Sequence, residues 1–133
     1  MQFYGVGTRF GGTDCFLDDC CKYNFWCMGN PNEKQMKLYE GINVGDILIA
    51  KKYRMKDGAA FVDVEAIGMV TDREFKHKSV PAKFTSDDIY GVSVVWIKRF
   101  SDPISFSSNS VGLTLAVARH VLFTPKPVKN GLP

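Results

Sequence analysis

Residues able to do chemistry crowd the first quarter of the chain. Cys15, Cys20, Cys21 and Cys27 share thirteen residues with Phe16, Tyr23, Phe25 and Trp26. Thiols so close raise three chemistries. Zinc sites draw paired ligands from short knuckles such as C-x-x-C, whereas the gaps here are four, zero and five residues, and adjacent Cys20 and Cys21 fit one ion poorly. Disulfides need an oxidising compartment, and Met1-Gln-Phe-Tyr-Gly5 lacks the charged and apolar regions of a secretory leader. Reduced thiols in a cytoplasmic protein are the expectation. A Cys21 nucleophile with His120 as base would need assembly in space, and no local catalytic signature supports it. His120 lies in an apolar run and reads as a core histidine; His77 reads as exposed. Asp18-Asp19 and Asp87-Asp88 could meet a divalent ion, but paired acids are commonplace at helix starts and in loops. The expectation is no enzyme, no metal and no cofactor, with a Cys/His hydrolase as the alternative chemistry.

The aromatics suggest a different task. Reading a base outside a helix takes a flat apolar surface for stacking, hydrogen-bonding groups for its edge and positive charge for flanking phosphates. Trp26, Phe25, Tyr23 and Phe16 supply the first, and Thr13, Asp14 and Asn24 the second. Lys51, Lys52, Arg54 and Lys56, with Arg73, Lys76, His77 and Lys78, supply the third. Stacking contributes roughly 1–3 kcal/mol per base, comparable with the cost of extruding one. Against this, aromatics are more often core than cage, most clearly Trp96 in mid-strand, and lysines on a hairpin also block edge pairing.

The elements that must position these groups are strands. Val44-Gly45-Asp46 is a turn signal feeding the apolar run Ile47–Ala50, which reads as a buried strand. Gln2–Val6 is a first strand, closed by a glycine-rich loop over Gly5–Thr13 that lacks the Lys-Ser/Thr of a phosphate cradle. Thr13 or Asp14 is placed to cap a short helix over Cys15–Lys22, and Asn32 a second that stops at Gly41. Lys56-Asp57-Gly58 predicts a tight hairpin. Beyond it Val62, Val64, Ala66, Gly68 and Val70 alternate onto one face. Thr71–Asp88 reads as a surface excursion, Tyr90–Phe100 as a central strand, and Ser101-Asp-Pro-Ile as a turn into a short extended piece. Val111–Phe123 fits neither period, and residues 124–133 read as a tail.

One hundred and thirty-three residues, 45% of them apolar, suit a single domain, here spanning 1–123. A net charge of +3 permits a polyanion without demanding one. No run approaches membrane-spanning length. Strands without a βαβ rhythm predict an α+β domain: a small twisted β-barrel with flanking short helices.

The order of Phe25-Trp26-Cys-Met-Gly29, a short helix, Val44-Gly45-Asp46, Ala66-Ile67-Gly68-Met69-Val70, Val94-Val95-Trp96-Ile97 and Pro103-Ile104-Ser105 resembles the EVE branch of the PUA-like superfamily, especially members related to modification-dependent restriction systems. The resemblance spans about residues 3–106. It implies a twisted barrel with a pocket for a nucleobase, modified or flipped, in DNA or RNA. By position Trp26 would be the pocket tryptophan, and Gly45 and Asp46 a structural turn. Lys51-Lys52 departs from the family, where aromatic or histidine residues often follow this strand. The leading expectation is a nucleic-acid reader; the alternative is an intracellular or phage-encoded inhibitor that docks a protein on the same scaffold.

Overall fold

A computed structural model describes residues 1–10, 14–76, 79–107 and 120–121, and at Phe10, Asp14, Tyr53, Ser107, His120 and Val121 the backbone alone. Thr13, His77 and Lys78, most of the ambiguous 111–123 stretch and the 124–133 tail lie outside the described residues. The elements are β1 (Phe3–Gly7), β2 (Arg9–Phe10), β3 (Asp14–Cys15), α1 (Leu17–Tyr23), β4 (Phe25–Gly29), α2 (Glu33–Glu40), β5 (Ile47–Lys56), β6 (Ala59–Asp72), a 3-10 turn (Ala82–Phe84), β7 (Ile89–Ser107) and β8 (His120–Val121). Six strands form one sheet in the order β4-β7-β6-β5-β1-β8, curled into a half-barrel, and β2 pairs with β3 apart from it. The result is a small, mostly β domain with two short helices. No helix among the described residues is long and apolar enough to cross a membrane.

Local chemistry explains most boundaries. Asn32 caps α2 through the Gln35 backbone N–H, and the Gln35 side chain returns a bond to the Asn32 N–H, a reciprocal capping box. The turn before β5 is tied by Asp46, whose carboxylate accepts from the backbone N–H groups of Gln2 (2.9 Å) and Asn43 (2.8 Å). Asp57 and Gly58 both have positive φ, 52° and 77°, as the tight hairpin joining β5 to β6 requires.

Four expectations are corrected. Asp14-Cys15 is extended and pairs with Arg9-Phe10, so α1 starts later and its N-cap is Phe16 without a side-chain bond, not Thr13 or Asp14. The β6 alternation is broken by a register shift between Val64 and Ala66, as an extra residue in a ladder does. Val64 therefore packs with Ile49, Phe100 and Phe106, while Ala66 and Val70 join the main core on the other face. Residues 71–88 are not simply a surface excursion: Phe75 and Phe84 are buried in that core. The predicted turn at Ser101-Asp-Pro is instead an irregularity in one long strand, with β7 residues 100–103 opposite Glu65 alone, where a proline costs no ladder bond.

Candidate functional site

The four aromatics expected to form a base pocket occupy the interior instead, or its margin. Phe25, Trp26, Cys27 and Met28 are all buried, because β4 is enclosed on both faces. Trp26 is 1% exposed, and its indole N–H donates to the Gly7 carbonyl at 2.9 Å. Phe25 stacks on Phe75 at 5.5 Å with the rings 6° from parallel and meets Phe84 at 5.1 Å; Phe16 touches both Phe25 and Phe84. The expected cleft around Trp26, Phe25 and Phe16 is therefore corrected, since their faces are spent on one another. Tyr23 is half-buried at the end of α1 under Lys22, 5.3 Å from its ring centre. Asn24, left-handed at φ 57°, ends the helix, and its carbonyl accepts from the Val94 N–H. For Asp14 only the backbone is described, on β3. Trp96 is half-buried, packed on the core, with its N–H directed to the carbonyls of Cys20 and Phe25.

The cations expected to hold phosphates are also largely engaged. Arg54 bonds Asp63 at 2.6 Å and Ser105 at 3.2 Å. One Arg73 nitrogen donates to the carbonyls of Tyr39 (2.7 Å) and Ile42 (2.9 Å) at the end of α2, while the guanidinium lies 4.6 Å from the centre of the Tyr39 ring. Lys51 is turned inward next to the register shift at Ala50/Lys51, with its ammonium buried and without a hydrogen-bond partner among the described residues. Burial pushes its pKa down. Lys52 is half-buried and Lys56 exposed at the hairpin. Lys76 donates to the Ser86 carbonyl at 2.7 Å. It keeps donors for other partners, since an ammonium has three.

Burial pushes the Cys20, Cys21 and Cys27 thiols upward, which favours the protonated thiol over the nucleophilic thiolate. All four cysteines are free, and no cluster of three or more His, Cys, Asp or Glu among the described residues is arranged to hold a metal. Asp18, one of the paired acids that could have met a divalent ion, pairs with Arg99.

A cleft does exist elsewhere. Tyr39, Glu74, Phe75, Lys76, Ile89, Tyr90 and Gly91 line a hollow of about 180 Å³ between α2, the start of β7 and the segment after β6. The hydroxyl of Tyr39 donates to the Gly91 carbonyl at 3.0 Å, which fixes its ring, and the Tyr90 ring meets it edge-on at 5.8 Å and 65°. Burial pushes the Tyr39 hydroxyl up; the Arg73 guanidinium opposes this and the Glu74 carboxylate adds to it. Tyr90 stays exposed. The cleft is thus an aromatic surface with an acid and an ammonium at its margin. Of its residues, Lys76 alone was singled out from sequence; Tyr39 and Tyr90 lie fifty-one positions apart and carry no shared local pattern. No family model matches the chain, and no curated protein matches it.

Proposed function

We propose that this domain is a nucleic-acid-binding module on a PUA-like scaffold that seats one unstacked base in the Tyr39–Tyr90 cleft. The observation that carries the reading is an exposed tyrosine ring beside a second, fixed one, with Lys76 at hand. The hollow is smaller than the roughly 300–1,000 Å³ pockets of drug-sized ligands, which suits a single ring system. Because the two tyrosines meet edge-on, they form no parallel slot, and the base lies on the open face of Tyr90. Lys76 meets a flanking phosphate. The half-barrel sheet and the order of motifs along the chain are compatible with the scaffold, and the buried aromatics move its base seat away from Trp26.

The test is titration of single-stranded oligonucleotides across a salt series. With one or two phosphate contacts, the logarithm of affinity falls with that of salt at a slope of about −0.7 to −1.4. Tyr90→Ala weakens binding by the roughly 1–3 kcal/mol of one stacked base. Absence of binding at low salt, or indifference to Tyr90→Ala, contradicts the proposal.

A second reading, a protein-docking domain, is favoured by one specific feature. Register places Phe3, Ile47, Met69 and Val95 in a single row across β1, β5, β6 and β7. Phe3 and Val95 are each 42% exposed. A stoichiometric protein complex lost on Val95→Asp, with no oligonucleotide binding, would favour that reading instead.

A further inference from the structure

Resting on the base seat just described, we infer that the base it selects is guanine, through the carboxylate of Glu74. The side chain is exposed at the cleft, but its backbone is held on both sides. The Glu74 N–H donates to the Asp72 carboxylate at 2.9 Å, and its carbonyl accepts from the Ser93 hydroxyl. Glu74 lines the cleft beside Tyr39, and its charge is felt at the Tyr39 hydroxyl. No ion pair among the described residues engages it.

An ionised carboxylate only accepts hydrogen bonds, through two oxygens set side by side. Among the neutral bases, guanine alone presents two adjacent donors, its ring N1–H and exocyclic N2–H. Adenine and cytosine each place a ring-nitrogen lone pair next to their amino group. Uracil and thymine flank their single N–H with two carbonyls. Each of these sets a lone pair against the carboxylate, which has no donor to offer it.

The experiment compares four single-stranded pentamers, TTXTT with X as dG, dA, dC or dT, by calorimetry with the full chain. The dG pentamer is expected to bind at least about tenfold tighter than the others, as a two-point base contact provides. Glu74→Gln should collapse that preference to within about threefold, because the amide sets a donor against a donor. Glu74→Asp, a shorter acid, should keep part of it. Equal binding of all four, each weakened by Tyr90→Ala, overturns the guanine inference and leaves the base seat standing. A dG preference that survives Glu74→Gln overturns the assignment to Glu74. No binding of any pentamer removes both.

Discussion

Replacing Lys51 with methionine should stabilise the protein. The residue is 4% exposed, and its ammonium has no hydrogen-bond partner among the described residues. It also packs so closely on β1 that a Cβ at Gly5 would lie 2.7 Å from its Cε. An unsatisfied buried polar group costs about 1–3 kcal/mol, and apolar side chains of similar volume at buried charged sites often recover that amount. At this chain length the gain corresponds to a rise in Tm of about 3–5 °C per kcal/mol. Its dependence on pH has a definite sign. Burial lowers the folded-state pKa below 10.5, so between that lowered value and the unfolded one the unfolded chain binds more protons and stability rises with pH. Below the window the parent carries the full cost of the buried charge. The advantage of Lys51→Met is therefore largest there and shrinks as pH climbs through the window. Cys20 and Cys27, whose thiols burial pushes upward, remove stability from both proteins as alkaline pH ionises them in the unfolded chain. The readout is thus the variant minus the parent, by urea denaturation from about pH 6 to 10. A destabilised variant, or a difference flat across that range, would refute the reasoning by showing that the amine has a partner.

Trp26→Ala should cost about 3–5 kcal/mol, as large core truncations do. Trp26→Phe loses mainly the bond to Gly7. Leaving that carbonyl unsatisfied should cost about 1–3 kcal/mol, with oligonucleotide affinity unchanged. Denaturation midpoints alongside binding curves separate this from a pocket role, in which Phe would keep the fold and lose the ligand. Arg54→Ala leaves the Asp63 carboxylate, 5% exposed, with Ser105 as its partner. That loss should cost about 1–3 kcal/mol by chemical denaturation. A Cβ at Gly68 would come within 2.5 Å of Val94 and 2.8 Å of Trp96. Gly68→Ala should therefore cost about 1–3 kcal/mol by the same measurement, as overpacking does.

Local signals in the chain were faithful where the chemistry is local. Asn32 with Gln35, Asp57-Gly58, and Gly45 with Asp46 each make their turn or cap through neighbours a few residues away, and the structure follows them. What depends on long-range pairing was less legible. Lys51 sits in a run of cations that reads as solvated, yet it falls on the Ile49 face of β5 and its ammonium is buried with its side chain packed on Gly5 of β1, a neighbour distant in sequence. Trp26 read as a pocket residue because it adjoins loops and a helix. Yet the unbroken apolar run Phe25–Met28 is itself a signal of a strand enclosed on both faces. The cleft was invisible because α2 delivers Tyr39, β7 delivers Tyr90, and nothing in either segment names the other.

The base seat on Tyr90 is tested most directly by the NMR spectrum of the full chain as a single-stranded oligonucleotide is added. The account predicts that ring resonances of Tyr90 and Tyr39 and the backbone amides of Glu74 and Lys76 move with ligand, while the Trp26 indole N–H, bonded to Gly7, stays fixed. Movement of that indole resonance with the Tyr90 ring unchanged would contradict it.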